Sequence, residues 1–200
     1  MKYFLFFILV TVVCVIHAQV DRINISASNN ITSMPVITYA KLFYEQMHPG
    51  LEFQTDKILN NNEKNIFLLS AHAGFYYHRF IHTSIWIFPS AGYERKISEK
   101  LFVGVNLGGG YAIAFEDAAV LKLNDEGIYV KENVLNGRSQ FMGQLGFEGK
   151  YTINKSKPDG IKLFFQLKTY LQGVYVKNYV PLMPLNSLLI GISIPFNHEN

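Results

Sequence analysis

Leu101-Phe102-Val103-Gly104-Val105-Asn106-Leu107-Gly108-Gly109-Gly110-Tyr111-Ala112-Ile113-Ala114-Phe115-Glu116 is the stretch that decides how this chain folds. Its odd positions are Leu101, Val103, Val105, Leu107, Gly109, Tyr111, Ile113 and Phe115, most of them large and apolar. Its even positions are mostly small or polar, with Gly104, Asn106, Gly108, Gly110, Ala112, Ala114 and Glu116 among them. Successive side chains of a strand point to opposite faces, so a period of two predicts a strand with one greasy face. Its length is well beyond the ~5–6 residues of an average strand in a soluble protein.

The same alternation recurs on both sides of it. Phe141, Leu145, Phe147 and Tyr151 oppose Gln144, Glu148 and Lys150, and Ile161, Leu163, Phe165, Leu167 and Leu171 oppose Lys162, Gln166, Lys168 and Gln172. Near the end, Leu188, Ile190, Ile192, Ile194 and Phe196 alternate with Ser187, Leu189, Gly191, Ser193 and Pro195. Upstream, Phe67, Leu69, Ala71, Ala73, Phe75 and Tyr77 oppose Ser70, His72 and Gly74. Ile85, Ile87, Ala91 and Tyr93 likewise oppose Ser84, Ser90, Gly92 and Glu94. Weaker alternation near 36–44 and 50–58 completes eight expected strands. Turn chemistry separates several of them, as at Asn60-Asn61-Asn62 and Pro158-Asp159-Gly160, with longer gaps at 117–140 and 176–186.

Composition bounds the rest. With 49% hydrophobic, 14% aromatic and 16% charged residues, the 200-residue chain carries too much apolar and too little charged material for disorder. A net charge of +3 without a basic cluster argues against nucleic acid as a partner. The single cysteine, Cys14, excludes an intramolecular disulfide framework, and six histidines without ligand spacing suggest neither a metal nor another cofactor.

The chain begins like an export address. Met1-Lys2 is followed by an apolar run to Ile16, interrupted only by Thr11, and then by His17-Ala18. That order predicts a signal peptide over 1–18 with cleavage after Ala18. Residues 19–34, rich in Asn and Ser, read as a polar periplasmic leader before a barrel over 35–200. Beyond the signal no apolar run approaches the ~20 residues a membrane-crossing helix needs.

Alternation reveals two faces but not which one meets water. A soluble barrel of the lipocalin type turns its apolar face inward around a ligand; a membrane barrel turns it outward to lipid. Aromatics of the apolar parity collect at strand ends: Tyr93, Tyr151 and Phe196 at one level, Tyr77, Phe115, Phe141 and Tyr175 at the other. Two such rings match the interfacial girdles of membrane barrels. The opposite face carries Glu94, Glu148, Lys150, Lys162 and Lys168 with several glycines, which suits a narrow, charge-neutralised lumen. Gaps that mostly alternate short and long fit turns on one side of a membrane and loops on the other. The expectation is therefore an eight-stranded antiparallel up-and-down transmembrane β-barrel. Val103, Val105, Leu107, Leu145, Leu163, Leu167, Ile190 and Ile192 should face lipid, with 45–49, 78–83, 117–140 and 176–186 outside the cell.

Four short stretches carry a resemblance: Ala18-Gln19, His48-Pro49-Gly50-Leu51, Gly92-Tyr93-Glu94-Arg95 and Gly191-Ile192-Ser193-Ile194-Pro195-Phe196. In these the chain resembles small bacterial outer-membrane β-barrel proteins, most of which lack an assigned activity. The resemblance implies a Gram-negative envelope location. The chain departs from that pattern at its end, where Asn197-His198-Glu199-Asn200 follows Phe196.

His82-Thr83-Ser84 is the one local constellation with catalytic potential. It resembles the His-x-Ser pair of lipid A deacylases, in which a histidine activates a serine hydroxyl. Period two places both on one strand face, although Ile85 follows where that motif carries Asn and an orienting acid is not evident. Three readings of function stand at this point. The first is a non-enzymatic monomeric barrel with a structural or surface-interaction role, its loop 117–140 meeting an extracellular partner. The others are a lipid hydrolase using His82 and Ser84, and a soluble ligand carrier.

Overall fold

A computed structural model describes residues 20–32, 38–60, 62–79, 81–116, 121–131, 137–153, 160–176 and 180–196. The expected signal peptide and the four residues after Phe196 lie outside the described residues. Ten strands appear among those described. They are β1 (Arg22–Thr32), β2 (Pro49–Ile58), β3 (Asn65–His78), β4 (His82–Lys96), β5 (Leu101–Glu116), β6 (Leu121–Leu123), β7 (Tyr129–Lys131), β8 (Arg138–Thr152), β9 (Lys162–Val176) and β10 (Val180–Pro195). Eight close into a barrel in the order β1-β10-β9-β8-β5-β4-β3-β2, while β6 and β7 form a separate hairpin within the β5–β8 connection. Every barrel pair is antiparallel, and the seam runs from Arg22 opposite Pro195 to Thr32 opposite Leu185. Closure leaves no unpaired edge, the condition for a sheet to sit in hydrocarbon.

The expected count of eight holds, but the first strand is a different segment. Much of the region expected as a polar leader is β1, paired on both sides, to β10 and to β2. Its polar residues Arg22, Asn24, Ser26, Ser28 and Asn30 are buried because they point into a polar lumen, with Ile23, Ile25 and Ala27 on the other face. The strand expected near 36–44 is not formed over its described part, 38–44. Tyr39–Phe43 is instead a 3-10 helix with Leu42 buried.

Three expected gaps are also narrower. The connections are 79–81 rather than 78–83, ahead of Arg138 rather than Gln140, and 177–179 rather than 176–186. Pro49 likewise belongs to β2. Pro181 and Pro184 disguised the start of β10, since proline argues against a strand. Pro181 falls where the register slips between Val180 and Leu182, and pairing toward β1 stops at Leu185. That stretch is a bulged edge, which tolerates proline.

The faces settle the orientation. Leu107 is 66% exposed and Ile190 60%; Val103, Val105, Leu145, Leu163 and Ile192 are exposed as well, and Leu167 is half-buried. Tyr77, Phe141, Tyr151 and Phe196 are exposed on the same outer wall, with Tyr93 and Phe115 half-exposed; the side chain of Tyr175 lies outside the described residues. Glu94, Glu148, Lys150, Lys162 and Lys168 are all buried inside. A soluble lipocalin-like carrier requires the reverse, so that reading fails on geometry.

Inward-facing glycines make room for bulky inward neighbours. A Cβ on Gly110 would lie 2.5 Å from the Cβ of Phe88, and one on Gly74 would meet the Trp86 ring at 2.8 Å. Gly110→Val is therefore expected to cost about 1–3 kcal/mol by overpacking, read as a lower midpoint in urea, whereas Gly143→Ala on the open outer wall is expected to be tolerated.

Candidate functional site

Among the described residues, ionisable side chains converge in the barrel interior, which is built in tiers. At the end where β1 starts and β10 finishes, Lys150 sits between Glu94, to which it donates a short hydrogen bond, and Glu148 at 3.1 Å, with Asp56 at 4.0 Å. Arg22 reaches the second oxygen of Glu94 at 2.9 Å. Asp56 also accepts hydrogen bonds from Asn24, Gln54 and Ser70, each at 2.7 Å, and Glu148 accepts one from Gln166 at 2.5 Å. Two cations thus face three carboxylates, and Lys150 is the counter-ion that touches all three. Lys162 completes this end with its ammonium 3.8 Å from the centroid of the Phe102 ring. A cavity of about 440 Å³ opens here, lined in part by Arg22, Lys57, Lys96, Phe102 and Lys162.

The next tier centres on Glu52. Its carboxylate accepts from Lys168 at 2.5 Å and from the Tyr170 hydroxyl at 2.8 Å, with His72 Nδ1 at 2.9 Å. The other nitrogen of His72 lies 2.7 Å from Ser90 Oγ. Glu52 comes from β2, His72 from β3, Ser90 from β4, and Lys168 and Tyr170 both from β9, so this tier ties four strands across the lumen. Above it lies an aromatic plug of Tyr76, Trp86, Phe88, Met142, Tyr170 and Leu185, with Trp86 and Tyr170 rings 5.7 Å apart. Salt bridges and rings fill the bore, as expected of eight strands, which leave little more than side-chain width.

The far end carries histidines. His48 and His78 stack with centroids 3.6 Å apart and planes 12° from parallel. Burial outweighs the pull of nearby Glu45 and holds the His48 imidazole below its ordinary pKa. His82 Nε2 lies 2.5 Å from the Tyr76 hydroxyl, which donates to Gln172 at 3.0 Å. Ser84 Oγ accepts from Gln172 Nε2 at 3.1 Å. His82 and Ser84 are thus on one face, as their spacing predicts, but it is the inner one and both are fully buried. A lipid acyl ester would arrive at the outer wall. The His, Asp and Glu side chains form no group suited to a metal among the described residues.

Arg22, Glu52, Asp56 and Tyr170 are lumen residues that sequence reasoning did not single out, whereas His72 lies inside as its polar parity predicts. The signal for Arg22 was the alternation of Ile23, Ile25 and Ala27 with polar neighbours; for Glu52 and Asp56, it was their two-residue rhythm with Gln54.

No protein-family model matches the chain, and no curated protein matches it in sequence. Solved structures do match in shape. Neisserial surface protein A superposes with a TM-score of 0.57 at 11% identity, covering 88% of this chain and 96% of that one. By fold, the chain is a closed eight-stranded antiparallel β-barrel of the kind seen in that small outer-membrane protein. The barrel is also similar to Ail, the attachment invasion locus protein of Yersinia pestis (TM-score 0.47, 11% identity, 89% and 100% coverage), and to the outer membrane enzyme PagL (0.48, 13%, 86% and 99%). At such identities the likeness speaks for the barrel architecture alone.

Proposed function

We propose that this barrel is an integral outer-membrane protein with a structural or surface-interaction role and no catalytic task. One observation carries the reading: a largely apolar outer wall encloses a lumen filled by paired charges and rings. Such a wall favours lipid by roughly 25 cal/mol for each Å² of apolar surface removed from water, and such a lumen leaves no room for an aqueous channel. The girdle residues Tyr77, Tyr93, Phe115, Phe141, Tyr151, Tyr175 and Phe196 then stand at the two interfaces. Both ends of the barrel chain face the periplasm, and the connections 33–48, 79–81, 117–137 and 177–179 face outward.

The β6–β7 hairpin is the part that reaches for an extracellular partner. Its tip is pre-shaped: the Asn124 N–H donates to the Ile128 carbonyl, Asn124 Oδ1 accepts from the N–H groups of Glu126 and Ile128, and Gly127 takes a positive φ of 76°. Ile128 and Tyr129 are exposed on it at 58% and 69%. A rigid tip with an exposed aromatic loses little entropy on binding, which favours recognition.

Two measurements check the proposal. The protein is expected in the detergent-dependent membrane fraction, as a monomer that runs at a different apparent mass when loaded unboiled; recovery in the soluble periplasm overturns it. Ser84→Ala is expected to leave the lipid A acylation pattern unchanged, because the hydroxyl is buried under Gln172. A shifted lipid A mass spectrum would instead revive the hydrolase.

A further inference from the structure

The outer wall is not apolar throughout. Asn29 of β1, Asn186 of β10 and Thr169 of β9 share the outward parity of Ile25, Ile190 and Leu163, since Asn186 pairs with both Ile31 and Thr169 and Asn29 pairs with Leu188. Thr169 stands at the middle of β9, within the band of lipid-facing parity rather than beyond it. Yet Thr169 and Asn186 are buried, as is the outward-facing Ile31. Over them, on the outside of the barrel, lie residues 39–48, which pack on β1 and β10.

The contacts are specific. Thr169 donates its hydroxyl proton to Asn186 Oδ1 at 2.7 Å, so the Tyr39 hydroxyl at 2.8 Å donates to Thr169. Asn29 Nδ2 donates to the carbonyl of Leu42 at 2.8 Å, and its Oδ1 accepts the backbone N–H of His48 at 2.9 Å. Leu42 is 4% exposed against the wall. An amide or hydroxyl left bare in hydrocarbon costs several kcal/mol, so three such groups at this depth demand a cover. Segment 39–48 supplies it, with Leu42 of the 3-10 helix at one end of the Asn29 amide and His48 beyond the helix at the other.

The cover has an outer surface of its own. Phe43 and Tyr44 are each 71% exposed and Met47 66%, while Lys41 and Glu45 pair with each other at 3.1 Å. We propose that segment 39–47 is a strap seated in the outer leaflet. Its inner side hydrogen-bonds the polar notch at Asn29 and Thr169, which in turn holds Asn186, and its Phe43, Tyr44 and Met47 insert among lipid acyl chains. The surface is continuous with the apolar wall, so the occupant is lipid. The inference rests on the membrane reading above and adds to it an outer-leaflet contact made by a non-strand segment.

Site-specific labelling tests it without disturbing the fold, because the labelled side chains point away from the barrel. In a Cys14→Ser background, Tyr44→Cys and Met47→Cys carry an environment-sensitive fluorophore, and Leu107→Cys serves as the wall control. The full chain is reconstituted into phosphatidylcholine vesicles with or without brominated acyl chains. The expected result is a blue-shifted emission at all three positions, most of it lost in brominated vesicles and little of it to aqueous iodide. If Leu107 is quenched by brominated lipid while positions 44 and 47 are quenched only by iodide, the strap proposal fails and the membrane barrel stands. Should Leu107 also answer only to iodide, the membrane reading itself is overturned. Self-quenching that persists on lipid dilution would place a second copy of the chain on the strap, and would equally defeat the lipid assignment.

Discussion

Lys150→Met is expected to lower the stability of the folded barrel by about 3–5 kcal/mol, because it strands charge where no water is at hand. Lys150 is 1% exposed and faces Glu94, Glu148 and Asp56. Removing it leaves Glu148 and Asp56 without the ammonium that faces them, while Arg22 stays on Glu94. The penalty combines lost attraction with uncompensated repulsion, so relief of the repulsion should restore part of it. Glu148→Gln in the same chain is therefore expected to recover a measurable fraction of the loss, since the amide keeps the shape and still accepts from Gln166. Urea unfolding in vesicles, followed by the fluorescence of the only tryptophan, Trp86, reads both variants. A loss below about 1 kcal/mol, the size of an exposed ion pair, would show that the lumen is wet.

Leu107→Arg is the complementary experiment on the outer wall. Leu107 is outward-facing near the middle of β5, and a guanidinium at the bilayer midplane of a barrel costs about 2–4 kcal/mol. Ile97→Arg, in the exposed turn between β4 and β5, is expected to change stability by no more than about 0.5 kcal/mol, the usual size of a surface substitution. The two substitutions introduce the same charge into exposed apolar sites, so their difference isolates lipid from water. Equal effects would place Leu107 in solvent and refute the membrane assignment.

The architecture was legible wherever the two faces differ strongly in polarity. In β5, β8 and β9 large apolar residues alternate with glycine, glutamine or charge, and that contrast marks each as a long strand with two unlike faces. β1 was hidden by the same physics that stabilises it. Its inward residues are Asn and Ser, which in isolation read as a leader, and only the presence of Glu52 and Asp56 opposite explains why they are strand residues. The segment 36–44 misled in the other direction, because Tyr39, Leu42 and Phe43 supply apolar residues without a strand. Their role depends on a polar notch made by three distant strands, and no local pattern encodes it. His82 and Ser84 were correctly placed on one face, but which face was a global property of the closed sheet. The pairing of Lys150 with Glu94 and of Lys168 with Glu52 was likewise out of reach, since 56 and 116 residues separate the partners along the chain.

The seam between β1 and β10 joins the earliest and the latest strands to leave the ribosome. Loop-closure entropy makes such a pairing slow to find. Until it forms, the nascent sheet has two raw borders that invite annealing with neighbouring chains. A version interrupted by a stop codon before Val180 would keep seven of the eight staves and never become a cask, and the expected fate of such a fragment is clumping or proteolytic disposal during export.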